Sequence, residues 1–268
     1  MTPRTALGAL HIGALMFGLT GVFGKLAAAS ASIIVFGRAG FAVLALACFG
    51  ALAKQTRWQM PTLRDARGLL ISGLLLAGHW VSFFVSVKVA GVAIATLGFA
   101  SFPAFTVILE GLIFRERIRV NEMLLVLAVS AGLILVTPTF DLASQATEGL
   151  LWAMASGLLF SLLSLNNRAN SGRLPAVQAA LWQNAVVALC LLPFAAPGLT
   201  QVRALDWLWI GLLGIFCTGV AHRLFVASLA VIKADIAPFA LSELLENLAA
   251  EYTELARAEG LELHPVST

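Results

Sequence analysis

The chain has 268 residues, 60% of them hydrophobic and only 12% charged, and its mean hydropathy is +0.93. A water-solvated globule of this size does not carry so apolar a surface, which leaves an integral membrane protein. The net charge of +3 is unevenly divided, with 16 Lys and Arg against seven acids in residues 1–233, and one Arg against seven acids in residues 234–268.

A spanning helix needs about 20 predominantly apolar residues. Stretches at 8–28, 33–53, 68–87, 92–114, 123–138, 149–165, 176–197 and 206–232 predict eight transmembrane helices, the fifth and sixth short enough to need their flanks. Strand-like alternation is absent, so backbone groups in hydrocarbon are satisfied within helices and the fold is all-α. The connections alternate in charge. Lys54, Arg57, Arg64 and Arg67, then Arg115, Arg117 and Arg119, then Arg168 and Arg173 fall on one side; segments 29–32, 90–91 and 139–148 carry almost no basic residue, and 198–205 only Arg203. Basic connections face the cytoplasm, so both the N-terminus with Arg4 and the end of the eighth span at Lys233 are expected inside. This alternation also argues against a nucleic-acid patch. The first apolar run has no small-residue cleavage pattern after it, as a signal peptide would. Cys48, Cys190 and Cys217 lie far apart in apolar runs and read as small buried residues.

The two halves resemble each other weakly. Val35-Phe36-Gly37-Arg38-Ala39 corresponds to Leu181-Trp182-Gln183-Asn184-Ala185, and Phe83, Ser86 and Val89 correspond to Phe225, Ser228 and Val231. Five spans separate the matched elements, so the halves have opposite orientation, as in the inverted repeats of many secondary transporters. The expected units are a five-helix repeat over 1–138, three helices of a second repeat over 149–233, and an acidic amphipathic tail over 234–268. In that tail Leu241, Leu245, Leu248, Tyr252 and Leu255 form a stripe, with Glu243, Glu246, Glu251 and Glu254 interleaved, which predicts a surface helix over 238–259. Each acid would cost about 2–3 kcal/mol in the bilayer interior, so this segment is not expected to span.

The stretches Phe17-Gly18-Leu19-Thr20-Gly21-Val22-Phe23-Gly24-Lys25-Leu26, Val35-Phe36-Gly37-Arg38, Gly78-His79-Trp80-Val81-Ser82-Phe83-Phe84 and Ala95-Thr96-Leu97-Gly98-Phe99-Ala100-Ser101-Phe102-Pro103 occur in an order that resembles the drug/metabolite transporter superfamily. Within it the chain is most similar to the EamA-type exporters, in particular YddG-type bacterial amino-acid exporters. The resemblance implies a ten-helix fold of two inverted repeats, placed in the bacterial inner membrane, which moves small organic solutes by alternating access. The chain departs from that pattern after Lys233, where a ninth and tenth helix would begin.

Several residues stand out as carriers of chemistry. His79 lies mid-span, where an ionisable group is expensive; it either lines the solute pathway with Trp80, Phe83, Ser101 and Phe102, or bonds a Ser or Asn of a neighbouring helix. Trp152 is a further candidate for stacking on an apolar or aromatic solute, although most aromatic residues of such a bundle serve as packing. Lys25 and Arg38 either snorkel outward or form a polar gate, and Asn184 falls at the repeat-related position of Arg38. Glu110 either exchanges a transported proton or bonds a neighbouring helix. Arg223, beside His222, is deep in the eighth span. No nucleophile–base pair, paired carboxylates or metal-ligand spacing occurs in the sequence, so no enzyme activity, metal or cofactor is expected. The functions left open are export of small amino acids or related metabolites, efflux of drugs or organic cations, and a non-transporting membrane scaffold. The expected partners are a small solute and the lipid bilayer, with no nucleic acid.

Overall fold

The computed structural model describes residues 3–52, 59–113, 120–136, 144–170, 173–222 and 224, and among them every regular element is helical. The helices are α1 (Pro3–Leu26), α2 (Ala31–Leu52), α3 (Leu63–Phe99), α4 (Phe102–Ile113), α5 (Val120–Val136), α6 (Gln145–Ala169), α7 (Ala176–Ala195) and α8 (Ala204–Gly214). A 3₁₀ turn, Ala196–Gln201, follows α7, and α8 runs on into a π-helical turn, Ile215–Val220. Five of the helices are long and apolar enough to cross a membrane. Large apolar side chains point away from the bundle, among them Leu15, Leu44, Leu112, Leu189 and Phe194. In water such a surface would drive aggregation; in hydrocarbon it is solvated by lipid. The acidic tail, Arg223 and the arginines at 115, 117 and 119 lie outside the described residues.

The 37 residues of α3 would form a rod of about 55 Å, against a hydrocarbon layer of about 30 Å. The chain resolves this at Gly91, whose φ of 87° lies where a residue without Cβ is at ease. The two arms run in opposite directions along α6. On the way out Gly68 lies against Asn170, His79 bonds Ser156 and Ala90 meets Gly149; on the way back Gly98 packs on Ala153, Thr106 bonds Ser161 and Glu110 pairs with Arg168. The 68–87 and 92–114 stretches are therefore a hairpin with a one-residue turn.

The return arm corrects one expectation. It is not a continuous helix but two pieces, 92–99 and α4, broken at 100–101. Ser101 Oγ donates to Gly98 O at 2.6 Å, covering a carbonyl at the break, and Pro103, lacking an amide hydrogen, suits the first turn of the new helix. The sixth helix is longer than its apolar run, because Asn166 and Asn167 lower the hydropathy yet remain helical. The 206–232 stretch begins as an α-helix but widens at Ile215; its end lies outside the described residues.

Thr62 and Asp65 form a reciprocal cap that starts α3, and Ser144 Oγ accepts the Thr147 amide at the start of α6. Around these, α2 sits centrally. It is antiparallel to α7, with Ile33 near Gly198 and Leu46 among Ala180 and Leu181, and parallel to α8, with Gly37 on Ile210 and Ala45 on Gly219. α1 packs on α3 and α8, and α6 on α3 and α4. Ile34, Val35, Phe84, Val187, Ile210, Leu213 and Cys217 fill the common core. One end of the bundle gathers Arg64, Arg67, Arg168 and Arg173; the opposite end gathers the α1–α2 connection, Gly91 and the α7–α8 connection.

Candidate functional site

Arg38 follows the apolar first turns of α2 and is 4% exposed. Its side chain crosses to two other helices. Nε donates to Thr218 Oγ1 at 2.7 Å, on the π-helical turn, and the guanidinium carbon lies 3.8 Å above the Trp80 ring of α3 and 5.9 Å from Phe84. Thr218 in turn donates to Leu213 O at 3.1 Å. A cationic side chain at the bilayer centre costs about 2.5–3.5 kcal/mol. A desolvated cation–π contact returns about 2 kcal/mol and a hydrogen bond from a charged group about 1.5–3 kcal/mol, so the guanidinium is held without an acid. Among the described residues no carboxylate pairs with it; the ion pairs there are Arg168–Glu110 and Arg203–Asp206. Of its five N–H donors, only the one on Nε is engaged by a described residue, and the terminal fork keeps the geometry that matches a carboxylate.

His79 and Trp80 are neighbours on α3 but serve different places. Trp80 lies under Arg38. His79, 7% exposed, turns to α6, where Nδ1 lies 2.7 Å from Ser156 Oγ and 3.1 Å from Ser156 O, while Ser156 Oγ donates back to His79 O at 3.0 Å. His79 thus bonds a neighbouring helix, the second of its two alternatives, and its ring borders Phe99 at 5.2 Å and Phe160 at 5.0 Å. Phe83 and Phe102 complete this aromatic cluster through Phe99. Ser101 is buried at the break beside it, close against Gly157.

The other candidates lie apart. Trp152 is 41% exposed, with its indole nitrogen 3.4 Å from Glu148 Oε1, outside both clusters. Lys25 is exposed at the end of α1. Glu110 pairs with Arg168 at 2.7 Å, tying α4 to α6. Asn184 is buried on α7; its amide nitrogen donates to Ala180 O, while Oδ1 has no partner among the described residues.

Sequence reading missed Thr218, because a threonine among apolar neighbours carries no signal until α8 is placed beside α2. It also missed Asp206, a buried carboxylate that accepts from Ala28 N, Arg203 Nε and Arg203 Nη2 at 2.9 Å each, closing the end of the bundle opposite the arginine-rich connections. Lys88 Nζ donates to Ala27 O at the same end.

The model of the EamA-like transporter family matches residues 4–137. No curated protein matches the chain. A solved structure described only as the crystal structure of a protein is similar over 95% of this chain and 98% of its own, with 20% identity and a TM-score of 0.56, a likeness of fold.

Proposed function

Because the chain belongs to the EamA-like transporter family, and is thus a multi-pass membrane transporter of the drug/metabolite kind, we propose that it exports small amino acids or closely related metabolites by alternating access. The observation that carries this reading is the Arg38 guanidinium, buried over Trp80 without an acid among the described residues, which suits the carboxylate of a small solute. Efflux of organic cations is disfavoured by the same feature, since a cation would meet a fixed positive charge and no compensating carboxylate.

The mechanism we infer rests on two inverted units, 1–138 and 149–233. Exchanging α1 with α6, α2 with α7 and α3 with α8 turns the α3–α6 contact into α8–α1, the α3–α7 contact into α8–α2, and returns α2–α7 to itself; all of these packings occur. Rocking one set against the other about the α2–α7 pair would expose Arg38 to each side in turn. The loop charges support a bacterial inner membrane with both termini cytoplasmic, and the two arms of α3 support the eight-span count over 1–233.

The test is uptake of labelled glycine, L-threonine and L-phenylalanine into proteoliposomes. The native chain should accumulate at least one of them, Arg38→Gln should abolish uptake, and Arg38→Lys should retain part of it. Uptake that survives Arg38→Gln would refute this substrate assignment, and no uptake by the native chain would favour the scaffold reading.

A further inference from the structure

A second polar region lies at the arginine-rich end, away from Arg38. A cavity of about 280 Å³ opens between the first turns of α3 and α7 and the last turns of α6, lined by Asp65, Ser72, Asn167, Arg173, Gln183 and His222 among others. Its inner wall is a cross-linked set of amides. Asn166 Nδ2 donates to Ser72 Oγ at 2.7 Å and to Gly68 O at 3.0 Å; Ser72 Oγ donates to Asn167 Oδ1 at 2.7 Å; Gln183 Nε2 donates to the same oxygen at 2.9 Å. Three helices are therefore held together by neutral donors and acceptors.

The outer part of this cavity carries charge of both signs. Asp65 uses Oδ2 to hold Thr62, leaving Oδ1 without a partner among the described residues. Arg173 is half-buried, and none of the described acids pairs with it, although its charge is felt at Asp65. A cation, an anion and a neutral amide wall around one small space match a solute that is itself doubly charged and small. Drug-sized ligands occupy pockets of about 300–1,000 Å³; a cavity at the foot of that range fits a molecule the size of an amino acid. Ser72 and Trp80 are eight residues apart on α3, roughly 12 Å along the helix, so the cavity lies about two turns from the deep guanidinium.

We propose that this cavity is a loading site for small zwitterionic α-amino acids on the cytoplasmic side, with Arg173 receiving the carboxylate and Asp65 the ammonium group. The assignment rests on the transport reading above and adds a first station to it: solute is captured at the mouth before it reaches Arg38.

The experiment uses the full chain in lipid nanodiscs with Cys48 and Cys190 replaced by Ala and with Ala179→Cys in the cavity wall as reporter; Cys217, fully buried, is kept. The rate of maleimide labelling at position 179 is measured with glycine, L-threonine, L-phenylalanine, acetate or ethylamine. At least one amino acid should slow labelling threefold or more, and neither half-ligand should do so at the same concentration. Arg173→Gln, at an inter-helix connection, should raise the protecting concentration about tenfold, as loss of one charge-assisted contact does. Asp65→Ala should do the same, whereas Thr62→Ala, which removes the cap partner but keeps the carboxylate, should not. Arg38→Gln should leave protection intact while abolishing uptake. Protection unaffected by Arg173→Gln, or lost with Arg38→Gln alone, overturns the loading site. Absence of protection by all three amino acids also overturns it, while proteoliposome uptake then decides the transport reading on its own.

Discussion

Gly214→Ala probes the contact on which the Arg38 site depends. A Cβ at this position would stand 2.6 Å from Arg38 O and 2.6 Å from Phe41 Cβ, with Ala42 N at 3.3 Å. Carbon atoms rest at about 3.5–4.0 Å, so α8 would have to retreat from α2 by roughly 1 Å. The blocking atoms belong to the α2 backbone and to the first side-chain atom of Phe41, neither of which can swing aside. Overpacking of this kind costs about 1–3 kcal/mol, while replacing Gly by Ala in a helix returns about 0.8–1.0 kcal/mol. The expected net loss is up to about 2 kcal/mol. The same retreat would stretch the 2.7 Å bond from Arg38 Nε to Thr218 toward 3.5 Å, the edge of hydrogen bonding. The assay is reversible unfolding in mixed micelles with increasing dodecyl sulfate. Its control is Gly18→Ala, where no side chain or other helix among the described residues comes within 4 Å of the added methyl and stability should hold or rise. The reasoning fails if Gly214→Ala is as stable as Gly18→Ala.

Asp206→Asn should lower stability by about 1–3 kcal/mol, because the buried carboxylate holds the Ala28 amide and two nitrogens of Arg203; the same unfolding assay checks it, and an unchanged midpoint refutes the clamp. Ser156→Ala removes the hydroxyl that meets His79 between α3 and α6, and should cost about 0.6–1.7 kcal/mol, from the mean to the upper end for interhelical hydrogen bonds in membranes. Single cysteines at positions 64 and 144 should react with an impermeant maleimide from opposite faces of the membrane; labelling from one face alone contradicts the charge-based orientation.

Much of the fold was readable because hydropathy averages over a span, and a span is about as long as the average. The turn at Gly91 was readable for the same reason, as the point where two apolar lengths meet. Events shorter than the averaging window were not. The break at 100–101 is made by one serine hydroxyl and one proline, in a stretch whose mean hydropathy hardly changes. The π-helical turn at Ile215–Val220 lies in an equally apolar stretch, where no residue announces a change of winding. The site divides likewise. A buried arginine and a mid-span histidine announce themselves by their cost, but their partners, Trp80 and Thr218 for one and Ser156 for the other, come from helices up to 180 residues away. Which face of an almost wholly apolar helix looks inward also leaves little trace in composition, which is why Trp152 lies on the outer surface and apart from the aromatic cluster.

Gly91 also sets the parity of everything that follows it. A membrane protein counts its crossings, and one reversal more or less exchanges inside for outside in every later segment. Here that reversal hangs on a single residue whose backbone, at φ of 87° and ψ of 170°, takes a conformation open almost only to glycine. An alanine at this position would be strained by about 1–3 kcal/mol, which tilts the balance toward an unbroken rod too long for the bilayer. On the charge-based orientation proposed above, the arginines at 115, 117 and 119 would then be drawn toward the opposite compartment, against the preference of basic connections for the cytoplasm. The glycine and the basic cluster thus act as independent votes on one orientation, and a population inserted in both directions is the outcome to look for when one vote is removed.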